Sequence, residues 1–400
     1  MKRFFLISQV FYPDEVSTAN LFTILCNNLA NNNIEVEVWA AQPSYTHSKK
    51  QPRRLTYKGT EIKFLPSTRF HKSKIFGRIL NILTFTVSTA FRLIFSKDKS
   101  PVFTHTNPPS LGILVSLICK LKKRKFIYVL LDIFPEGLIR LGKLSDGNPL
   151  VKVWKNMNIK TFRRSERIIV LGRDMGEYIE SIYPEGREKI EYIPHWQDEN
   201  LIHPISIGNN PFIKEHMLDG KFIIQYSGNM GLWNDMETIG KAASRYIEGV
   251  HYVFIGDGMR KPELQKTLSS AEHRNILFLP FQPVEKLGEV LTANHVSLVS
   301  LREGLEGMAV PSKIYGILAA GVPVIAMVPK QSEIAYIVRE ENCGYVVDPD
   351  DVDGLINAII ELKSNKQLRT KMGINGRKAF EQKYTTKKIA EKYKLLIKSL

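Results

Sequence analysis

The chain has 400 residues, of which 44% are hydrophobic and 24% are charged. This is an ordinary globular composition, and the length predicts two domains of roughly 200 residues each rather than one. The cysteines, Cys26, Cys119 and Cys343, lie far apart and have no CxxC or neighbouring histidine spacing. This pattern argues against a disulfide framework and against a structural zinc site, and it fits a reducing cytoplasm.

The net charge of +16 is concentrated in one part of the sequence. Between Lys49 and Lys125 there are 18 lysines and arginines and only two acids, an excess equal to the net charge of the whole chain. Such a charge attracts phosphate-rich surfaces, either nucleic acid or the anionic inner leaflet of a membrane. The sequence has no helix-turn-helix, RRM, zinc-finger or basic–aromatic strand pattern. We therefore expect no nucleic-acid partner.

A membrane-surface element is predicted at residues 69–95, to dock on an anionic membrane. Phe76–Phe95 is almost wholly apolar, and Arg69, Lys72 and Lys74 precede it. Its length approaches a transmembrane span, but it contains two arginines, an asparagine and four Ser or Thr residues, which argue against crossing a bilayer. The alternative is a buried crossover helix, which periodicity does not separate from surface insertion. The expected location is cytoplasmic, peripheral on the inner face of the cell membrane.

The start of the chain, MKRFFLISQVFYPDE, has no small-residue cleavage site after its short apolar run, and it is interpreted as a first β-strand. Similar runs then recur between helical stretches, which predicts parallel βαβ units and two doubly wound domains. The runs of the first half are Phe4–Ile7, Ile34–Ala40, Phe103–His105, Phe126–Leu131, Arg167–Val170 and Ile190–Ile193. Those of the second half are Phe222–Tyr226, Tyr252–Ile255, Ile276–Leu279, Val296–Leu301, Val324–Met327 and Gly344–Val347.

Gly, Pro and Asn cluster near residues 197–218, which predicts the domain boundary there. The predicted N-terminal domain spans 1–200 and the C-terminal domain 201–384. Residues 385–400 have apolar positions at helical spacing and are predicted to form a helix that packs back on the N-terminal domain. Open parallel sheets bind ligands at the carboxyl ends of their strands, so two facing sheets predict an interdomain cleft.

The most informative motif covers residues 310–325. Pro311 at a first helical position leaves the amides of Ser312, Lys313 and Ile314 free, with the helix dipole behind them, and Lys313 adds a cation. That arrangement suits a pyrophosphate. The alternative is a capped helix without a ligand, but the Gly, Pro and Val that follow the helix favour a functional role.

Several segments together resemble glycosyltransferase family 4, above all its branch that builds O-antigen and capsule units from acetamido sugars. The resemblance covers nearly the whole chain, and the segments stand in the family's order. They are Gln9–Pro13, Thr104–Pro109, Asp132–Glu136, Arg163–Val170, Ile193–Trp196, Tyr226–Gly231 and the helix that begins with Pro-Ser-Lys.

The resemblance implies the α/β GT-B fold, in which two Rossmann-like domains face each other across a cleft. It also implies a nucleotide-sugar donor, retention of anomeric configuration, and no essential metal ion or other cofactor. The branch further implies a UDP-sugar as donor of an N-acetylated sugar, and a polyprenyl-diphosphate-linked acceptor in surface polysaccharide biosynthesis.

Donor-binding residues are expected in the second domain. Gly228 and Asn229 belong to the loop after its first strand, where relatives often carry cations, so neutralisation of the pyrophosphate would rest on backbone amides and Lys313. Gly256 follows a strand and permits close backbone approach to a ligand. Phe281 opens the loop whose backbone contacts the base in relatives.

Three residues of the first domain are candidates with more than one open role. Ser17 either caps the helix that follows or donates to a phosphate of the donor. Asp132 accepts a hydrogen bond from the transferred sugar or stabilises positive charge at its anomeric carbon, or else it is a helix cap. His105 either orients the acceptor or is a buried structural histidine before a Pro-Pro turn.

Many relatives carry two glutamates eight residues apart, and the matching positions here are Met308 and Gly316. Glu303 and Glu306 lie just upstream, and they either contact sugar hydroxyls or are solvated loop acids. The missing glutamates keep open a non-catalytic nucleotide-sugar-binding subunit. A nucleotide-sugar epimerase of GT-B shape is a second alternative, but it needs no lipid acceptor and leaves the basic apolar stretch unexplained.

Overall fold

The computed structural model describes residues 3–44, 49–70, 75–269 and 275–400. The chain divides into two compact units: unit 1 contains Met1–Pro194 and Thr386–Leu400, and unit 2 contains His195–Thr385. Unit 2 begins slightly earlier than the predicted boundary, because the segment that connects the two units pairs with residues at the end of unit 2. The Gln197 amide donates to the Tyr384 carbonyl over 3.1 Å, and Gln197 forms a parallel bridge with Thr385.

Unit 1 is built on a sheet with the strand order β3-β4-β2-β1-β5-β6-β7-β8, in which β3 is antiparallel to β4 and all other neighbours are parallel. The central strands read as continuous apolar runs because helices cover both faces of a doubly wound sheet. The strands are β1 (Arg3–Ser8), β2 (Glu35–Ala41), β3 (Arg54–Tyr57), β4 (Thr60–Leu65), β5 (Val102–His105), β6 (Phe126–Leu130), β7 (Arg167–Val170) and β8 (Ile190–Tyr192).

The helices that alternate with these strands are α1 (Ser17–Asn31), α2 (Ile75–Phe95), α3 (Pro109–Leu121), α4 (Glu136–Arg140), α5 (Pro149–Arg164) and α6 (Arg173–Ile182). The hairpin of β3 and β4 was missing from the predicted strands. Lys58 and Gly59 both have positive φ and form its tight turn. The hairpin is therefore identified by its turn residues rather than by an apolar run.

Unit 2 has an all-parallel sheet with the order β11-β10-β9-β12-β13-β14. Its strands are β9 (Phe222–Ser227), β10 (Val250–Ile255), β11 (Ile276–Leu279), β12 (Val296–Ser300), β13 (Val324–Met327) and β14 (Gly344–Val347). This is the Rossmann order 3-2-1-4-5-6, and the strand order reverses between β9 and β12. Ligands of such sheets bind at that switch point, beyond the carboxyl ends of the two strands.

The helices of unit 2 are α7 (Pro211–Glu215), α8 (Met236–Ala243), α9 (Lys261–Ser269), α10 (Leu287–Thr292), α11 (Lys313–Ala320), α12 (Glu333–Glu340), α13 (Val352–Ser364) and α14 (Lys366–Ala379). Helix α11 ends where the motif predicted, because Gly321 is left-handed at φ +69° and closes the last turn. The last helix, α15 (Thr386–Ser399), packs on unit 1, where the Tyr393 ring lies 6.1 Å from that of Phe4. The predicted packing of this helix is confirmed.

Helix α2 connects β4 to β5, and unit 1 covers only one of its faces. Phe85, Thr89 and Leu93 are fully buried on that face. Asn81 fixes the helix to the preceding loop, because its side chain accepts from the Phe70 amide (3.0 Å) and donates to the Phe70 carbonyl (2.9 Å). The large hydrophobic residues exposed on the helix are Phe76, Ile79, Leu83, Val87, Phe91, Ile94 and Phe95.

By length and composition Phe76–Phe95 is able to cross a membrane, with a mean hydropathy of 1.3 and 22% of its apolar window buried. In the structure, the bonds of Asn81 and the buried face fix this helix to unit 1. Lys72 and Lys74, which belong to the predicted membrane-surface element, lie outside the described residues.

Candidate functional site

The loops after β9 and β10 approach each other so closely that only glycine fits between them. Gly228 and Gly256 have φ values of +125° and +124°. A Cβ atom on Gly256 would lie 2.3 Å from the Gly228 carbonyl oxygen, and one on Gly258 would lie 2.4 Å from the Met230 carbonyl oxygen. No side chain therefore separates the two loops, and glycine is required at these positions by the close approach of the neighbouring main chain.

Lys313 reaches this point from the start of α11, which follows β12. Its ammonium lies 3.7 Å from the centroid of the Tyr226 ring and contacts the Tyr226 hydroxyl, which donates to the Asn229 carbonyl over 3.0 Å. The lysine Nζ is 3.8 Å from the position of a Cβ on Gly228. The strand order therefore brings Lys313, Asn229 and Gly228 together at the switch point.

Burial lowers the pKa of Lys313 to about 7. Among the described residues, no carboxylate lies within salt-bridge distance of its ammonium. Tyr226 supplies a ring face and a hydroxyl, but neither carries a compensating charge. A ligand phosphate placed here would meet a cation that the protein has not neutralised, and it would raise the lysine pKa again.

The start of α11 differs from the prediction in one amide. The Ile314 amide donates to the Pro311 carbonyl over 3.4 Å, so the expectation that it is free is wrong. The amides of Ser312 and Lys313 donate to no backbone carbonyl of the described residues. Ser312 occupies the N-cap position, where its side chain makes no capping bond. Two amides and the lysine thus remain for an anion at this helix end.

The loop between β12 and α11 turns twice, at Gly304 and Gly307, both with positive φ. It places Glu303 at the surface and Glu306 in a half-buried position. Burial raises the pKa of Glu303, and the nearby carboxylates of Glu306, Asp348 and Asp350 raise it further. Either acid is thus placed in a loop beside the switch point, and the choice between sugar contact and a solvated loop acid stays open.

The two positions where relatives carry glutamates are part of the interior of unit 2. Met308 is fully buried. A Cβ on Gly316 would lie 3.0 Å from a methyl of Leu291. A carboxylate at either position would lose its hydration and would also crowd its neighbours.

Phe281 follows β11 with its ring 59% exposed, and the position of a Cβ on Gly256 is 3.2 Å from that ring. Asn229 is exposed on the neighbouring loop. The donor-binding residues predicted for the second domain, Gly228, Asn229, Gly256, Phe281, Pro311, Ser312 and Lys313, therefore share the carboxyl edge of one sheet.

In unit 1, the surroundings of His105 match the alternative of a buried structural histidine before a Pro-Pro turn. The Ser8 hydroxyl donates to the Val10 carbonyl (2.6 Å), so the His105 Nε2–H donates to Ser8 Oγ (2.8 Å). The other ring nitrogen, Nδ1, accepts from the Asn107 amide (3.2 Å). Burial lowers the pKa of His105 to about 3. Both nitrogens of this enclosed, neutral ring are thus bonded within unit 1, and the predicted role in orienting the acceptor stays a prediction.

Asp132 follows β6 at the carboxyl edge of the sheet of unit 1. Its amide donates to Thr106 Oγ1 over 3.2 Å, while burial raises the pKa of its carboxyl to about 6. The alternative role of helix cap is wrong, because the N-cap of α4 is Pro135. Asp132 instead lines a cavity of about 340 Å³ within unit 1.

Ser17 is the first residue of α1, and Val16 occupies the N-cap without a side-chain cap bond. The capping role considered for Ser17 is therefore wrong, and its exposed hydroxyl keeps only the predicted phosphate contact as an open role. Among the described residues, no group of three or more His, Cys, Asp or Glu side chains is arranged to hold a metal ion.

Sequence reasoning missed Tyr226, although it stands in a segment that carries the family resemblance. Its importance depends on the contact with Lys313, 87 positions later in the chain. The one local signal was a tyrosine at the end of an apolar strand next to a glycine-rich loop, which is a weak signal without the partner.

Residues 210–379 match the sequence profile of the family described as glycosyl transferases group 1. These residues lie within unit 2, which therefore carries a domain of that type. Two relatives match over most of the chain. A Pseudomonas aeruginosa protein named as the glycosyltransferase WbjE is 27% identical over 299 residues, which is 74% of each chain. An Escherichia coli (strain K12) protein, named as the colanic acid biosynthesis glycosyl transferase WcaI, is 24% identical over 301 residues, covering 70% of this chain and 71% of the other.

Solved structures match along the whole chain. Sucrose-phosphate synthase from Thermosynechococcus elongatus has a TM-score of 0.76 at 16% identity, covering 100% of this chain and 99% of that protein. HepE from Anabaena, solved in complex with UDP-glucose, has a TM-score of 0.72 at 13% identity, with 100% of both chains covered. The predicted two-domain α/β fold of the GT-B type is confirmed by these matches.

Proposed function

We propose that this protein is a retaining, metal-independent glycosyltransferase of family 4 that uses a UDP-sugar. The observation that carries the proposal is Lys313, a cation without a carboxylate partner among the described residues, held over Tyr226 beside Gly228 at the switch point of unit 2. This is the place and the chemistry that a nucleotide diphosphate requires. HepE, which shares the fold, was solved with UDP-glucose bound, and this supports the choice of a uridine nucleotide.

The donor is proposed to bind with its diphosphate against the amides of Ser312 and Lys313 and against the Lys313 ammonium. Gly228 and Gly256 let the main chain approach the nucleotide, and the exposed ring and backbone at Phe281 border the base. Asn229 and Glu306 are kept as donor contacts, and Ser17 as a phosphate contact. No cofactor takes part.

In the proposed reaction, the bond between the anomeric carbon and the β-phosphate oxygen breaks, and a bond to the acceptor oxygen forms. UDP leaves with the bonding electrons, and the acceptor proton passes to the leaving phosphate. Positive charge develops on the sugar in the transition state, and a carboxylate stabilises such charge. Asp132 and Glu303 are the proposed carboxylates for this role, each in its own unit.

The acceptor is proposed to be a polyprenyl-diphosphate-linked sugar in bacterial surface polysaccharide synthesis, of the O-antigen or capsule kind. The names of the two relatives support such a pathway, since WcaI is named for colanic acid biosynthesis. The transferred sugar is proposed to be N-acetylated, as in the branch that the sequence resembles.

A lipid-linked acceptor requires the enzyme to work at a membrane, and unit 1 has a suitable surface. The exposed face of α2 ends in Phe91, Ile94 and Phe95, and Lys122 of the neighbouring helix end donates to the Ile94 carbonyl. Leu121 is exposed beside this contact. Lysines also follow both helix ends in the sequence. Apolar side chains surrounded by lysines suit insertion at an anionic membrane surface. This supports the proposal that the protein binds peripherally to the cytoplasmic face of the membrane.

The test is UDP release from a panel of UDP-sugars, with and without lipid-linked acceptor. Wild type is expected to release UDP in an acceptor-dependent manner. Lys313→Ala is expected to bind UDP about ten- to a hundredfold more weakly, because it loses a charge-assisted contact. Lys378→Ala, an exposed lysine of α14, is the matched control and keeps wild-type binding.

Absence of binding by every UDP-sugar would contradict the proposed donor. Binding of UDP without turnover by any acceptor would instead support a non-catalytic nucleotide-sugar-binding subunit, the alternative prompted by Met308 and Gly316. Interconversion of the free UDP-sugar to its epimer would support the epimerase alternative.

A further inference from the structure

The cavity of unit 1 has a chemistry opposite to that of the switch point. It measures about 340 Å³, at the lower end of the range for small-ligand pockets. Its polar side chains include Asp132, Glu136, Asn158 and Tyr178. Lys155 also lines it, but its ammonium forms an ion pair with Asp146. The cavity is therefore acidic and does not suit a phosphate.

Glu136 is the side chain of this cavity whose hydrogen bonding is incomplete. It is 8% exposed, and its Oε2 has no hydrogen-bond partner among the described residues. Burial raises the Glu136 pKa, while the Lys155 charge and a hydrogen bond from the Tyr178 hydroxyl partly oppose this rise. A buried carboxylate oxygen without a donor is costly, so a ligand that donates a hydrogen bond to it would bind favourably.

The walls of the cavity favour a sugar among such ligands. Phe134, Ile133, Ile159 and Phe162 line it with aromatic and aliphatic surface. A sugar ring presents hydroxyl donors at its edge and C–H groups on its faces, so it can use both the carboxylates and these walls. A wholly apolar ligand would leave the Glu136 oxygen unpaired, and an anionic ligand would face the carboxylates.

We propose that this cavity binds the terminal sugar ring of the acceptor, with Glu136 accepting hydrogen bonds from its hydroxyl or acetamido N–H groups. Tyr178 is a positioning residue that holds the Glu136 carboxyl. The assignment of the sugar to an acceptor rests on the proposed glycosyltransferase function. Glu136 is then a determinant of acceptor specificity, separate from donor binding in unit 2.

The test compares Glu136→Gln and Tyr178→Phe with Glu177→Gln, which alters an exposed glutamate of α6. Acceptor KM, donor KM and kcat are measured with polyprenyl diphosphates that carry a single acetamido sugar. Binding of the methyl glycosides of the same sugars is measured without donor, by saturation-transfer NMR. Glu136→Gln is nearly isosteric and removes a buried charge, so the fold should be retained.

Glu136→Gln is expected to raise the acceptor KM about ten- to a hundredfold and to weaken glycoside binding by a similar factor, with donor KM unchanged. Tyr178→Phe should produce a smaller rise in acceptor KM with kcat unchanged, which a general loss of structure would not do. Ile182→Phe fills part of the cavity and should also weaken glycoside binding. Glu177→Gln should match wild type in every measurement.

Wild-type acceptor KM and glycoside binding in Glu136→Gln and Ile182→Phe would overturn the cavity assignment, even if UDP-sugar is turned over. A different result would separate the cavity proposal from the proposed glycosyltransferase function. If glycosides bind and Glu136→Gln abolishes the binding, but no UDP-sugar is ever bound, the cavity is a sugar site and the proposed glycosyltransferase function fails.

Discussion

The two units are both built on largely parallel sheets, but the groups at the carboxyl ends of their strands differ in chemistry. At the switch point of unit 2, glycines remove side chains, and one lysine supplies the charge. In unit 1 the cavity is lined by carboxylates, two tyrosines and phenylalanine rings. The difference follows the ligands proposed for them: a diphosphate is bound by amides and a cation, whereas a sugar ring is selected by side chains of defined shape. If both proposals hold, one type of sheet serves two ligand chemistries through the loops that follow its strands.

The largest effect is expected when one methyl group is added to the glycine-rich loops of unit 2. Gly256→Ala should destabilise the protein by at least about 3 kcal/mol and abolish UDP binding, because the Cβ would overlap the Gly228 carbonyl at a positive φ. Gly220→Ala is the control: Gly220 has φ +72° and nothing within 4 Å, so a loss of about 1 kcal/mol is expected. Urea unfolding and UDP binding measure both. Equal effects of the two substitutions would show that close approach of the loops is unimportant.

A second difference between the units is the apolar face of α2 and α3, since membrane docking is proposed for unit 1 alone. The triple substitution Phe91→Ser, Phe95→Ser and Leu121→Ser should weaken binding to vesicles with anionic lipid on the order of 100-fold, from the loss of buried apolar area. The matched control replaces three exposed residues of unit 2, Met259, Ile360 and Ile374, with serine. Vesicle sedimentation is the measurement. Equal weakening by both triples would contradict a docking surface on unit 1.

The carboxylate of Asp132, in unit 1, is expected to make the stability of the protein depend on pH. Its pKa is about 6 in the folded protein and about 3.8 when unfolded, so the folded state binds the proton more tightly. Stability is therefore lost as the pH rises from about 4 to about 6, and the loss persists above that range. Asp132→Asn should be about 2 kcal/mol more stable than wild type at pH 7.5 and no more stable at pH 4, although impaired in transfer.

Urea unfolding at the two pH values, with the exposed Asp219→Asn as control, measures this difference. A stability gain that is the same at both pH values would mean that the burial of the Asp132 charge is not its cause. Unchanged transfer activity in Asp132→Asn would separately remove it from the proposed catalytic carboxylates.

Much of the fold was predictable because parallel strands buried on both faces leave long apolar runs in the sequence. The predicted runs Phe222–Tyr226 and Val324–Met327 correspond closely to β9 and β13. The hairpin of β3 and β4 alternates charged and apolar residues at the sheet edge, so it leaves no such run. Its signal was the turn at Lys58 and Gly59, whose left-handed conformation only the structure makes evident.

The site was predictable where it depends on local chain geometry and was not where it depends on distant contacts. Lys313 and its helix end were predicted from the Pro-Ser-Lys motif together with the Gly, Pro and Val that follow the helix. The role of His105 depends on Ser8, 97 positions earlier, and the partner Tyr178 of Glu136 lies on a different helix. Such pairings are fixed by the strand order, which the apolar pattern does not specify.

Burial lowers the pKa of Lys313 to about 7, and we claim that this lysine takes up a proton when the proposed diphosphate binds. Calorimetric titration of UDP at pH 8, repeated in buffers of different ionisation enthalpy, measures this proton uptake. Because a bound diphosphate favours the charged lysine, wild type should take up close to one proton per UDP, and Lys313→Arg, which is always charged, should take up almost none. Equal proton uptake by the two proteins, or none by wild type despite tight binding, would contradict the claim.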